Sequence, residues 1–366
     1  MSYRTTSDRP LFITANLLAI FGLVMLYSAS SVLASAQHGG MSGYYFLRQL
    51  VYAAVGYVLM VTLMNLDYHI WQKTKLITIL LAVSAGTLFL ALFQPAVNGA
   101  HRWLRYGSIS FQPSELAKLV LLMFLAAFLH KHAATINSST KKLLRHLAVL
   151  LFFAALIMIE PDLGQALCVI LIVSVLLFVA GLNWKSLATA ALVGLPAISL
   201  AVLLFPYRFQ RVLSFLHRTH DPLKSDWQIR QSLIAVGSGG FFGLGLGASM
   251  QKLFFLPEAH SDFIFAVIGE EIGLIGTCLV CLGFLFFCYR GIKIALRAPD
   301  AFGFYLGLGI TLMVVQQAFI NISMVLALMP TKGTALPFIS QGGSSLLMSL
   351  LATGILLNIS NYAEKS

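Results

Sequence analysis

The chain has 366 residues, 58% of them hydrophobic and only 10% charged, with 24 Lys and Arg against 13 Asp and Glu for a formal net charge of +11. Soluble domains carry roughly 25% charged residues, so this composition excludes an ordinary globular fold with a wettable surface and places the chain in a bilayer. The basic excess suits loops beside anionic headgroups, and no basic run interleaved with aromatics points to nucleic acid. Cys168, Cys278, Cys281 and Cys288 all fall inside apolar runs, which argues for packing residues rather than a disulfide framework or a zinc site.

A helix needs about 17 to 25 apolar residues to span. Ten stretches qualify in chain order: 11–35, 47–66, 76–94, 113–130, 146–160, 164–182, 186–205, 263–289, 301–328 and 343–361. The first is too long for the apolar core of a signal peptide and has no clear cleavage site, so it is expected to be retained. The expected fold is therefore all-α and polytopic: a single membrane domain over 1–366, with no soluble domain and a large extracytoplasmic loop at about 206–262 between helices 7 and 8.

Ten spans put both termini on one side. That side holds Arg4, Arg9, Lys73, Lys75, Lys131, Lys141, Lys142, Arg145, Lys185, Arg290, Lys293, Arg297 and Lys365, whereas the short opposite loops hold only Arg48, Arg102, Arg105 and Lys332. Cytoplasmic loops are the ones enriched in Lys and Arg, so both termini are expected in the cytoplasm. The acids run the other way. Asp8, Asp67, Asp300 and Glu364 are on the inner side, while Glu115, Glu160, Asp162, Asp221, Asp226, Glu258, Asp262, Glu270 and Glu271 lie in outer loops or the outward parts of helices. Chemistry is expected to face outward.

The 206–262 segment is too long for a structureless connection and too polar to span, which marks it as functional or locally folded. Phe209, Val212, Leu213 and Leu216 follow helical spacing with Arg208, Arg211 and Arg218 elsewhere around the axis, the pattern of a helix lying in the interface. A second short helix is expected around 226–236. Gly237, Gly239, Gly240, Gly243, Gly245 and Gly247 then form a flexible backbone. They match neither a GxGxxG after a strand nor a GxxxxGK[ST], so nucleotide binding is not indicated.

Asp262 is the sharpest catalytic candidate. It stands where a polar loop meets an apolar helix, and two readings compete. It caps that helix, or, as a partly desolvated carboxylate beside His260, it acts as a base. Glu270 and Glu271 lie roughly 12 to 14 Å deeper along a helix, so neither pairs with it; the spacing allows one base and no dyad. Glu115 and Lys118 form an i, i+3 pair just inside the fourth span, after a Pro113-Ser114 helix start; ionisable groups there are functional by default, the alternative being a mutually neutralising structural pair. Asp162 either caps the sixth helix or contributes to a polar cavity. The Pro330-Thr331-Lys332-Gly333 and Ser340-Gln341-Gly342-Gly343-Ser344-Ser345 blocks bracket an outer loop in which Lys332, with the Ser-Gly edges, has the chemistry to hold an anionic headgroup.

Tyr27-Ser28-Ala29-Ser30-Ser31, His101-Arg102-Trp103, Phe111-Gln112-Pro113-Ser114-Glu115-Leu116-Ala117-Lys118, Glu160-Pro161-Asp162-Leu163-Gly164, the 255–265 run and the two terminal blocks together resemble the SEDS family (shape, elongation, division and sporulation), in the same order over nearly the whole chain. Gly269-Glu270-Glu271-Ile272-Gly273 and Met329-Pro330-Thr331-Lys332-Gly333 are more similar to its FtsW branch than to its RodA branch. The resemblance implies an inverting glycosyltransferase that polymerises lipid II into peptidoglycan strands on the outer face of the inner membrane at the division septum. The implied partners are lipid II and the growing glycan strand, membrane lipid, a class B penicillin-binding protein and other divisome proteins. The family's essential aspartate falls on Asp262 and its intramembrane pair on Glu115 and Lys118. Gln165 and Gln341 stand where the family commonly has Thr or Ser and Tyr, which puts local cavity contacts there in question.

The residue reading agrees with that reaction. A sugar hydroxyl attacking an anomeric carbon needs a base, whereas a polyprenyl diphosphate, stable as an anion, needs cations more than a general acid. Candidate cations are Arg102, Lys118, Arg208, Arg211, Lys252 and Lys332. A divalent cation such as Mg2+ is a further candidate counter-charge, for which the sequence offers no ligand cluster. The alternatives are a lipid-linked precursor flippase, which should distribute polar residues through both halves of the membrane, an elongation polymerase, and a scaffold without activity.

Overall fold

The computed structural model describes residues 7–95, 100–107, 109–138, 140–203, 209, 225–253 and 255–362. Lipid offers backbone groups no hydrogen bonds, so apolar runs satisfy them internally as helices. The helices are α1 (Arg9–Gln37), α2 (Tyr44–Asn65), α3 (Thr74–Ala91), α4 (Pro113–His132), α5 (Thr140–Ile159), α6 (Leu163–Val179), α7 (Trp184–Leu203), α8 (Ser225–Ser238), α9 (Ile264–Leu296), α10 (Ala301–Val325) and α11 (Gly343–Tyr362). Eight of them, α1 to α5 and α9 to α11, are long and apolar enough to cross a membrane, and α6 is a shorter apolar helix. The 20-residue α7 stands at the remaining expected span. The chain is thus an all-α polytopic membrane protein.

Sequence cues set the helix starts. Asp8 accepts from Leu11 N at the start of α1, Asp162 accepts from Gln165 N at the start of α6, and Asp300 accepts from Gly303 N at the start of α10. Side-chain caps of this kind satisfy donors that the first turn leaves open. Pro113 opens α4 at a position where its missing N–H costs nothing. A feature the all-α expectation lacked is a small antiparallel hairpin ahead of α4, β1 (Leu104–Tyr106) paired with β2 (Ile109–Phe111), with Leu104 opposite Phe111.

The helices sort into inner and outer sets. The apolar windows of α4, α10 and α11 are 67%, 67% and 83% buried, against 22% for α2 and α3. Small residues allow the closest approaches: Gly354 of α11 lies against the backbone of Met60 in α2, and Gly291 of α9 against Thr311 in α10. Without a hydrophobic drive between helices in lipid, such close packing is a main source of association.

α9 is broken at Gly273, whose φ of +73° and ψ of −159° are non-helical. The glycine-rich segment supplies the bonds that the break removes. Leu244 N donates to Glu270 O (2.9 Å), Gly245 N to Glu271 O (3.0 Å) and Leu274 N to Gly240 O (2.9 Å). The expectation of a flexible backbone here is corrected: the glycines are folded onto the helix, because a Cβ at Gly239 or Gly243 would overlap the carbonyls of Gly269 and Glu271. The short helix expected at 226–236 is α8, while the interfacial helix expected at 209–216 lies, apart from Phe209, outside the described residues.

Gly273→Ala tests this arrangement. A Cβ there would stand 2.7 Å from the Phe241 carbonyl, at a positive φ. Strain at such a residue alone is about 1 to 3 kcal/mol, so the variant should melt several degrees lower in detergent, whereas Gly237→Ala, with open space around it, should not.

Candidate active site

The half-helix of α9 before the break carries Asp262 just ahead of its first turn. The cap position is Phe263, whose side chain makes no capping bond, and the Ser261 hydroxyl instead donates to Glu258 Oε2 (2.7 Å). Three successive carbonyls here are held from outside the segment. Gln341 N donates to His260 O (3.1 Å), Ser340 Oγ to Ser261 O (2.6 Å) and Asn321 Nδ2 to Asp262 O (2.8 Å). Asn321 also donates to Thr334 O, so α10 and the 326–342 loop fix the backbone from which the Asp262 carboxylate projects. Gln341 acts here through its backbone N–H, which any residue but proline would supply at that position.

Asp262 lines a cavity of about 800 Å³ together with Arg102, Glu115, Gln165, His260, Lys332 and Gly333. Gly333 brings two of these groups into register: a Cβ there would stand 3.2 Å from Asp262 Oδ2 and 3.8 Å from Arg102 Nη1. A carboxylate and a guanidinium thus face one small volume. The Lys332 side chain lies against Gly164, where a Cβ would overlap it, and its Nζ is 3.6 Å from Cys168 Sγ. Arg102 is oriented by donating to Pro161 O (2.7 Å), with its Nε 3.8 Å from Asp162 Oδ2. Of the two roles expected of Asp162 the structure shows the cap: Oδ1 caps α6, while Oδ2 accepts from Gln112 Nε2 (3.2 Å) and the residue does not line the cavity.

Behind the cavity wall lies a buried polar chain. Lys118 Nζ donates to Glu115 Oε1 (2.9 Å) and to Gln317 Oε1 (2.8 Å); Gln165 Nε2 donates to the same Glu115 oxygen (2.9 Å). Gln317 Nε2 passes on to Ala335 O and Ser345 Oγ. The departure at Gln165 therefore adds a bond to the ion pair. Ser344 Oγ accepts from Gln112 N (2.9 Å), tying the start of α11 to that of α4.

Among the described residues, one expected cation is not brought to this site. Lys252 lies apart from it: its Nζ is 2.6 Å from Glu271 Oε1 and 3.2 Å from Ser28 Oγ, and it lines a separate cavity beside α1. The reason is electrostatic, since a carboxylate as buried as Glu271, 1% exposed, needs a partner charge. Glu270 is held by Ser249 Oγ and the N–H of Met250, so neither of these acids reaches Asp262. Arg208 and Arg211 lie outside the described residues.

The sequence reading missed Gln317 and Asn321, which position the site from within α10; amides in an apolar span were the available signal. It also assigned no role to Glu160. Glu160 sits in the turn past the Lys141–Ile159 span, fully buried, with neither carboxyl oxygen hydrogen-bonded. Burial, then the neighbouring Asp162, pushes its pKa up to about 8 against the pull of Arg102. Burial pushes His260 down, Glu258 opposing, so its imidazole is neutral at pH 7.

Glu160 makes stability fall with rising pH. Its folded pKa lies above the ordinary 4.5, so the folded state holds the proton more tightly, and its contribution is fully present below about 4.5 and lost as pH rises through about 8. Glu160→Gln, which mimics the neutral acid, should flatten the melting temperature across that window and melt above the parent at pH 8.5. A variant less stable than the parent throughout would refute the neutral acid.

Comparison with known proteins gives concordant results. A probable peptidoglycan glycosyltransferase FtsW of Geobacter sp. (strain M18) is 42% identical over 360 residues, covering 96% of each chain. Stage V sporulation protein E of Bacillus subtilis (strain 168) is 42% identical over 365 residues, covering 99% of each. Among solved structures, a chain from a peptidoglycan synthase complex that coordinates polymerization and crosslinking superposes with a TM-score of 0.76 at 29% identity, covering 97% of each chain. The rod shape determining protein RodA of Thermus thermophilus gives 0.68 at 27% identity, covering 98% of each. With these full-length relatives, and with the FtsW, RodA and SpoVE profile, described as cell cycle protein, matching residues 8–365, the chain belongs to the FtsW/RodA/SpoVE family.

Proposed function

We propose that the chain is a peptidoglycan glycosyltransferase of the FtsW kind that polymerises lipid II during cell division, with Asp262 as its catalytic base. The observation that carries this reading is the convergence of the Asp262 carboxylate and the Arg102 guanidinium on the Gly333 backbone, in a cavity that Lys332 also lines. The acceptor sugar's 4-hydroxyl oxygen attacks the donor's anomeric carbon from the face opposite the diphosphate. Its proton passes to Asp262. The bond from that carbon to the diphosphate oxygen breaks, and the leaving group departs with the electron pair, so configuration inverts. Arg102 and Lys332 stabilise the charge released, as preorganised cations in a water-poor site do best. Among the described residues no three His, Cys, Asp or Glu side chains converge; a divalent cation such as Mg2+ arriving with the diphosphate would supply counter-charge, since that ion needs only one or two carboxylates beside substrate phosphates.

The same reading takes ten spans with both termini in the cytoplasm, supported by the cation distribution, and a place in the inner membrane at the division septum. A class B penicillin-binding protein is the crosslinking partner, supported by the likeness to a chain of a synthase complex. Glu115 and Lys118 position the cavity floor through Gln165 and Gln317.

Asp262→Asn separates a base from a structural carboxylate. It keeps the size and one side-chain oxygen, so the purified variant should fold with a near-parental melting temperature while glycan polymer made from lipid II falls by roughly 10² to 10⁴, the usual worth of a general base. Near-normal polymer from folded variant would sink the assignment. Lys118→Met should instead be unstable, because removing one member of a buried pair costs about 3 to 5 kcal/mol, and the Glu115→Gln/Lys118→Met double variant should regain part of that stability.

A further inference from the structure

The cavity that holds Asp262 is lined along another part by aromatic rings that the proposed chemistry does not use. His38, Tyr44, Tyr45 and His260 all line it. They form a connected cluster that starts two residues from Asp262, with the His38 ring also edge-on to that of Tyr45 at 5.6 Å. The His260 ring is 5.1 Å from that of Tyr45, Tyr45 is 5.3 Å from Tyr44, and Tyr44 stacks on His38 at 3.7 Å with the ring planes 23° apart. All four rings are half-buried. The Tyr45 hydroxyl donates to Gln37 Oε1 (2.7 Å) across the α1–α2 turn, which holds the series to α1.

Tyrosines near the ends of membrane-spanning helices often form an interfacial belt. Tyr27, 47% exposed, is absent from this cavity's wall and fits that role, but Tyr44 and Tyr45 face the cavity. A prenyl chain would call for an unbroken apolar wall. Here the same cavity is also lined by Arg48, Gln49 and Gln341. Aromatic rings in one wall with amide and guanidinium donors match a ligand that is apolar on its C–H faces and polar at its edges. That is the chemistry of a pyranose, and aromatic side chains present such an apolar body with polar groups close by.

We propose that His260, Tyr45, Tyr44 and His38 form an aromatic rail that carries the N-acetylhexosamine units of the growing glycan strand, holding its end against Asp262 between additions. The proposal rests on the polymerase reading above. The neutral His260 imidazole begins the rail beside the base. Arg48, fixed by donating to Ser110 Oγ (2.7 Å), and the exposed Arg105 flank it as cations for carboxylates carried by the strand's peptide branches.

The test uses the full chain with its crosslinking partner and lipid II, reading strand length on gels against lipid II consumed. Tyr44→Leu/Tyr45→Leu keeps apolar bulk but removes two rings, and losing such contacts should weaken strand retention about threefold to tenfold, giving correspondingly shorter strands. Tyr45→Phe keeps the ring while losing the bond to Gln37 and should restore most of the length. Saturation-transfer NMR on the unmodified protein with a soluble β-1,4-linked N-acetylglucosamine tetrasaccharide should show transfer, lost on addition of unlabelled strand. Parental length from the double Leu variant, a Phe variant as short as the Leu variants, or no transfer to the tetrasaccharide would each overturn the rail. Absence of any polymer from the unmodified protein would instead refute the polymerase reading beneath it.

Discussion

The site depends on one buried charge, the ammonium of Lys118, 2% exposed in the middle of an apolar bundle. A charge so placed is tolerable only when paired and hydrogen-bonded. Satisfying it recruits Glu115 one turn earlier, Gln317 from α10 and, through Glu115, Gln165 from α6. Three helices that share no sequence proximity are thereby held in one relative position. Gln317 carries the linkage to Ala335 O, in the outer loop that supplies Lys332 and Gly333 to the cavity, and to Ser345 Oγ in the first turn of α11. The ion pair is thus a structural joint beneath the site.

A second joint lies across from it. The half-helix 264–272 is held at its start through the carbonyls of His260, Ser261 and Asp262 and at its end through Glu270 and Glu271, which grip Ser249, Met250 and Lys252. The break at Gly273 frees this short segment from the rest of α9, and the inserted glycine segment replaces the lost bonds. A general base must be held within a fraction of an ångström of its working position. Anchoring a nine-residue half-helix at both ends to separate elements does this better than continuing one 33-residue helix, whose bending in the bilayer would move the base.

Much of this was legible in the sequence. Composition and run length gave the fold class, because lipid permits few solutions, and Pro113 and Asp162 marked helix starts by local capping chemistry. Glu115, Lys118 and Asp262 stood out because an ionisable group near an apolar run costs energy that structure or function must offset. What stayed hidden was pairing across distance. Nothing in a one-dimensional pattern shows that Lys252 answers Glu271, that Asn321 holds Asp262's carbonyl, or that Gly239 and Gly243 are close-packed; these follow from which helices meet. The hairpin at 104–111 was equally hidden, since three-residue strands show too few alternations to register as a period.

Glu160 and Asp162 show how the site uses opposite environments for like groups. They are two residues apart and both buried. Asp162 receives the Gln165 N–H and the Gln112 amide and has the guanidinium of Arg102 nearby. Glu160 has no hydrogen bond to its carboxyl and keeps its proton. Had both been ionised, Arg102 would answer two negative charges and be held toward the turn. With Glu160 neutral, the turn presents one negative charge to one guanidinium, and the other end of Arg102 remains directed at the volume it shares with Asp262, where an anionic leaving group needs it.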